Sequence, residues 1–192
     1  MDDNLAYIYE KESWNEMIDG NLVAMSPRPT VNHNIVASNI YRIFANYLKG
    51  KKCVPFADGT DLYLTKKDRF VPDGMIVCDI KKIKLNGVYG APDLVIEVLS
   101  PNTAKNDKGH KKSIYEKSGV WEYWIVDPLN KMIEVYLLED GKFILDEVYS
   151  IFPDYMLEKM TKEEQAAIPI KFKCSLFDDL TIYLEDVFER TF

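Results

Sequence analysis

The run Asp93-Leu94-Val95-Ile96-Glu97-Val98-Leu99-Ser100 constrains the fold of this chain more than any other stretch. It is almost wholly apolar, yet far shorter than the roughly 20 residues of a membrane span. A run of this kind is a strand buried on both faces. Such a strand needs a layer on either side, which predicts a mixed sheet with helices packed on it. Side chains alternate along a strand, so Asp93, Val95, Glu97 and Leu99 share one face. Glu97 is then a carboxylate in the middle of a central strand. That is costly unless a cation faces it, whether a lysine or a metal ion. A structural ion pair meets that requirement as well as a functional site does.

The rest of the chain supplies the layers. Trp14 to Ser26 reads as a hairpin turning at Asp19-Gly20. Ser26-Pro27-Arg28-Pro29 is a stiff loop. Val36, Ile40, Ile43, Phe44, Tyr47 and Leu48 fall at helical spacing and predict a helix from about Asn32 to Lys49. Thr30 or Asn32 can cap it, and Gly50 ends it. Strands follow at Val54 to Ala57, Asp61 to Thr65 and Phe70 to Cys78, the last interrupted by Pro72-Asp73. Lys108 to Lys117 reads as a helix ended by Ser118-Gly119, and Trp121 to Val126 as a strand. Met132 to Leu138 pairs with Lys142 to Leu145 across Glu139-Asp140-Gly141. No repeat or linker divides residues 1–192, so a single domain is expected.

Composition narrows the function classes. An apolar share of 47% is enough for a packed core and excludes a disordered chain. With 24 basic and 31 acidic residues the net charge is −7, which argues against a protein that coats nucleic acid nonspecifically. It leaves room for an enzyme that grips phosphates through one local patch. Cys53, Cys78 and Cys174 are odd in number and widely spaced, and read as reduced thiols rather than a bridge framework or zinc cluster. The acidic start Met1-Asp2-Asp3-Asn4 lacks the basic region of a signal peptide, so a cytoplasmic protein without membrane spans is expected.

Asp73 is a second carboxylate, 24 positions before Glu97. That separation suits two neighbouring strands, about 5 Å apart, whose carboxylates converge on one divalent ion. Oxygen-only ligands favour magnesium or manganese over zinc. Asp93 follows Pro92 and reads as a strand-start residue, with a place at the site edge as the alternative. After Glu97 the chain carries Lys105, Lys108, Lys111 and Lys112. Lys111 and Tyr115 are four apart and share a helix face. An ammonium near a scissile phosphate can stabilise developing negative charge; the plainer reading is a solvated basic face. His33 sits in the first turn of the long helix, where it can exchange protons near a site or simply end a helix.

Taken in order, these residues resemble a known family. Pro72-Asp73, the segment Pro92 to Thr103, then Asp107, Lys111 and Tyr115, then Glu122 to Pro128 look like the Uma-two family of bacterial candidate restriction endonucleases. The hairpin from Glu16 to Leu22, Met25-Ser26-Pro27 and His33 fit the same pattern, and the resemblance runs from about Glu16 to Phe188. It implies the PD-(D/E)xK nuclease superfamily and a restriction-endonuclease-like α/β fold. In that superfamily an Asp and a Glu bind a divalent metal, and a Lys stands two residues after the Glu. Here Leu99 occupies that place. In the family it resembles the lysine has moved to the following helix, and Lys111 matches it. Asn21 also replaces the acidic residue usual after the hairpin glycine.

The resemblance implies an endonuclease that hydrolyses DNA with Mg or Mn held by Asp73 and Glu97, and with Lys111 as third catalytic group. Asp107 and Tyr115 would hold the lysine helix, and His33 would touch the site edge. Lys105, Lys108 and Lys112 are the expected DNA contacts, and a homodimer is a possible assembly. The rivals are a catalytically inactive nuclease fold that binds nucleic acid or a protein, and a hydrolase of small phosphate esters.

Overall fold

The computed structural model describes residues 15–24, 28–101 and 103–192. Met1 to Asn4, Trp14, Met25, Ser26, Pro27 and Asn102 of the segments named above lie outside the described residues. Strands β1 (Asn15–Ile18) and β2 (Asn21–Ala24) form the expected hairpin. Asp19 and Gly20 take φ of 51° and 81°, the backbone hand that matches the twist of a two-residue hairpin. Helix α1 spans Val31–Leu48, and the Thr30 hydroxyl caps it by accepting the His33 N–H at 3.2 Å. Its buried stripe is Val36, Ile40, Phe44 and Leu48.

The main sheet is built from β3 (Val54–Ala57), β6 (Gly74–Val77), β9 (Leu94–Val98), β10 (Glu122–Asp127), β11 (Met132–Glu139) and β12 (Lys142–Ser150). Their order is β12-β11-β10-β9-β6-β3. Strand β9 is parallel to β10 and antiparallel to β6, and all of its residues are buried. The crossover from β9 to β10 is helix α2. It runs as α-helix over Ala104–Asn106, as π-helix over Asp107–Lys111 and as α-helix over Lys112–Ser118. Gly119, with φ 85°, ends it in the left-handed conformation. At the free edge of β12, the Glu116 carboxylate accepts the Phe143 N–H at 2.8 Å and meets Lys142 Nζ at 3.0 Å. A charged cap of this kind discourages edge-to-edge pairing.

The two faces of the sheet carry separate cores. On one, Ile96, Val98, Trp124 and Val126 pack against α1 and the C-terminal elements. On the other, Val95, Tyr123 and Ile125 pack with Tyr115 of α2, Phe70 and Leu62. The last two come from a second sheet of short strands, β4 (Leu62–Tyr63), β5 (Arg69–Phe70), β7 (Ile83–Lys84) and β8 (Gly87–Tyr89), which the β1–β2 hairpin extends. After β12 come α3 (Asp154–Leu157), α4 (Lys162–Ala167), the β13 (Lys171–Lys173)–β14 (Thr181–Tyr183) pair and α5 (Leu184–Val187). Glu122, fully buried, fastens this segment to β10. Its carboxylate accepts the Ser175 N–H at 3.0 Å and Trp124 Nε1 at 2.6 Å.

One expectation is overturned. Cys53 and Cys78 are joined by a disulfide, leaving Cys174 as the buried free thiol. The cause is strand register. Val54 faces Val77 across β3 and β6, so Cys53 and Cys78 stand at the next facing position. Among the described residues, no helix is long and apolar enough to cross a membrane.

Candidate active site

The β6–β9 register pairs Gly74 with Ile96, and the next facing pair is Asp73 with Glu97. The strand ends thus bring the two carboxylates to one place, as their spacing predicts. Asp73 Oδ2 accepts the Val98 N–H at 2.7 Å, which fixes the carboxylate at the end of β9. Its Oδ1 stands 3.3 Å from His33 Nε2. His33, in the first turn of α1, is 7% exposed. Burial pulls its pKa down, but the hydrogen bond and charge of Asp73 outweigh that and hold it above its ordinary value.

Glu97 is 3% exposed and Lys111 is 5% exposed. Lys111 Nζ lies 2.6 Å from Glu97 Oε1, 3.2 Å from Glu16 Oε1 and 3.6 Å from Asp107 Oδ1. Burial lowers the affinity of the ammonium for its proton, but the three carboxylates more than reverse this, and Lys111 stays protonated. Burial pushes the Glu97 carboxyl well above its usual range; Lys111 opposes the shift, while Asp107, Asp73 and Glu16 add to it. The Tyr115 hydroxyl donates to Glu97 Oε1 at 2.7 Å. Burial and the Glu97 charge hold that hydroxyl well above its ordinary pKa, so it remains a donor. Burial raises Asp107 too, against the pull of Lys111.

These groups border a cleft of about 110 Å³ lined by Glu16, His33, Asp58, Asp73, Glu97 and Lys111, among others. That is room for an ion and a few waters, and too little for a nucleotide. Among the described residues, no three His, Cys, Asp or Glu side chains form a ready-made metal cage. The donors at hand are two carboxylates. Magnesium is commonly held by one or two carboxylates, with water and substrate phosphate completing its shell. Asp73 and Glu97 fit that requirement, and their oxygen donors fit manganese as well.

The structure therefore brings together Asp73, Glu97, Lys111, Asp107, Tyr115 and His33. It places the other expected residues elsewhere. Asp93 Oδ2 accepts the Cys78 N–H at 2.7 Å, the strand-start role, and Asp93 does not line the cleft. Lys108 Nζ pairs with Glu134 Oε1 at 2.5 Å, and Lys112 Nζ sits 3.2 Å over the Tyr136 ring, both turned toward β11. Lys105 is exposed near the start of α2. Two acidic lining residues escaped the sequence reading. Glu16 shares a strand face with Ile18, which packs into the core, so an inward-facing glutamate was the available signal. Asp58 sits in a loop after β3, where nothing in the linear pattern marks it. Burial and the charge of Asp73 raise its carboxyl above the ordinary value.

Known proteins place this arrangement in context. Two uncharacterized proteins of Synechocystis sp. PCC 6803 are similar, at 27% identity over 68% of this chain and 70% of theirs, and at 25% identity over 69% and 77%. A crystal structure from Anabaena variabilis, described as "a putative nuclease belonging to DUF820", superposes with a TM-score of 0.68. It covers 92% of this chain and 90% of its own at 20% identity, a likeness of fold. The α/β architecture, with its mixed sheet, flanking helices and N-terminal hairpin, is thus restriction-endonuclease-like. The family model Uma2, "Putative restriction endonuclease", matches residues 2–166, and the chain belongs to that family.

Proposed function

We propose that this protein is a Mg- or Mn-dependent endonuclease that hydrolyses DNA phosphodiester bonds, with Asp73, Glu97 and Lys111 as its catalytic residues. The observation that carries the reading is the 2.6 Å contact between Lys111 Nζ and Glu97 Oε1. Leu99 stands where the superfamily keeps its lysine, yet an ammonium reaches the strand carboxylate from the next helix. Family membership supports the same class of activity.

Asp73 and Glu97 would hold the ion. When bound, it supplies Lewis-acid polarisation of the phosphate and a more acidic water. His33 and the Val98 N–H orient Asp73. Tyr115 orients Glu97. Lys111 places a fixed positive charge at the cleft, where it can stabilise the charge that develops on the phosphate oxygens. The cleft is too small for a nucleotide, so the backbone lies across its mouth and only the scissile phosphate enters. The two cores draw on residues from Val36 to Phe188, which supports reading the chain as one nuclease domain. The test is incubation of the purified protein with plasmid DNA and with a chromogenic phosphodiester, with and without magnesium. Metal-dependent plasmid cleavage that Asp73→Asn abolishes is expected. DNA binding without cleavage would favour the inactive-module reading, and turnover of the small ester alone would favour the small-ester hydrolase.

A further inference from the structure

We propose that Glu16 is a positioning residue for Lys111: it is the second seat of the ammonium, holding it in the cleft when a divalent cation takes Glu97. This rests on the metal reading of Asp73 and Glu97 given above. The geometry poses the problem directly. In the structure Lys111 Nζ occupies Glu97 Oε1 at 2.6 Å. A cation on the same carboxylate would repel an ammonium at that distance. The lysine then needs another anion within reach, or it leaves the cleft.

Glu16 Oε1 is that anion, 3.2 Å from Nζ. It is also fixed, because the same oxygen accepts the Val71 N–H at 3.1 Å, two residues before Asp73. The hairpin that carries it is bolted down. Gly20 N–H donates to Lys67 O at 2.9 Å, Asp19 N–H to Asp68 Oδ1 at 2.9 Å, and Arg69 Nη2 to Asn15 O at 2.7 Å. His110, beside Lys111, meets Asp19 Oδ2 at 3.2 Å, so hairpin and helix grip each other at two points. Asp107 is a weaker seat, at 3.6 Å and on the lysine's own helix. The hairpin is therefore a working part of the site.

A charge role and a structural role rank two variants in opposite order. Glu16→Gln keeps the length and the acceptor for Val71 but loses the charge. Glu16→Asp keeps the charge but falls one methylene short of Val71. Calorimetric titration of the full chain with Mn²⁺, without DNA, reads the difference. Glu16→Gln should weaken Mn²⁺ binding about tenfold or more, the scale of loss when an outer partner of a metal ligand is removed. The mechanism is that Lys111, confined to Glu97, then competes with the ion. Glu16→Asp should bind more tightly than Glu16→Gln. In a Lys111→Ala background, the Glu16→Gln loss should shrink to about twofold or less, since the competitor has gone. Equal or reversed ranking of the two variants, or a loss that persists without Lys111, overturns the proposal while wild-type Mn²⁺ binding leaves the metal reading standing. Absence of Mn²⁺ binding by the wild type overturns both.

Discussion

Tyr115 and Lys111 reach the same oxygen, Glu97 Oε1, at 2.7 and 2.6 Å from one face of one helix. Glu97 is thus a paired charge, where the bare strand pattern allowed an unpaired one. That pairing decides the outcome of Glu97→Gln. An unpaired carboxylate could be neutralised at no cost, or with a gain. Here the amide leaves Lys111 short of its nearest anion, with Glu16 and Asp107 remaining. A loss of about 2 kcal/mol in urea unfolding is expected, below the ~3–5 kcal/mol of a pair with no other partners. Mn²⁺ should no longer raise the melting temperature.

Lys111→Ala and Lys112→Ala should separate cleanly. Lys111 faces the cleft, and its loss should reduce cleavage by about a hundredfold or more. Lys112 lies over the Tyr136 ring. Its loss should change both turnover and DNA affinity by less than about threefold, since the half-buried cation–π contact is worth only about 1 kcal/mol and lies off the site. Single-turnover cleavage with matched DNA-binding curves checks both.

Glu122 provides a pH test away from the site. Burial raises its carboxyl above the ordinary value in spite of the Ser175 and Trp124 hydrogen bonds. Between the unfolded and folded pKa values the native state holds a proton that the unfolded chain has lost. The associated stability is full below the unfolded pKa and is lost as pH rises through the folded one. Wild-type stability minus that of Glu122→Gln should therefore fall as pH rises from about 4 to about 7. Urea melts across that range measure it. A difference that stays flat, or grows with pH, contradicts the assignment.

The disulfide predicts a thiol count. Unfolded without reductant, the protein should present one thiol, Cys174; after reduction, three. Cys53→Ser should cost about 3 kcal/mol under oxidising conditions, from the loop its bridge closes. The cost should largely vanish in reductant. Three thiols in freshly prepared, unreduced protein would show that the bridge is not formed where the protein works.

What was legible in the sequence was what depends on local order. The α1 stripe, the Asp19-Gly20 and Asp140-Gly141 turns and the buried β9 run each announce themselves within a few residues. Lys111 was legible only through a family pattern, because a lysine three positions from Lys108 and one from Lys112 reads alone as a solvated face. What was missed depends on register between distant segments. Cys53 meets Cys78, and Glu16 meets Lys111, only once β3 is laid on β6 and the hairpin on β5. The second sheet hid because several of its strands are two residues long, too short for alternation to show.

The π-helical turn at Asp107–Lys111 has a consequence for how this site tolerates change. In a plain α-helix, positions four apart drift by about 40°, so three such positions fan out by about 80°. A wider turn unwinds that drift, and Asp107, Lys111 and Tyr115 can line up toward one carboxylate. The segment 108–110 between them carries exposed side chains and touches none of the cleft. The cleft therefore sets its length, while its side chains answer to other partners, Lys108 to Glu134 and His110 to the hairpin's Asp19. Gly109, with open space where a Cβ would stand, should accept alanine unnoticed, whereas removing a single residue should close the wide turn and leave Asp107 and Lys111 three positions apart instead of four, out of line on Glu97. The constraint that the cleft places on this stretch is a count of residues, which an insertion or deletion scan would see and an alanine at Gly109 would not.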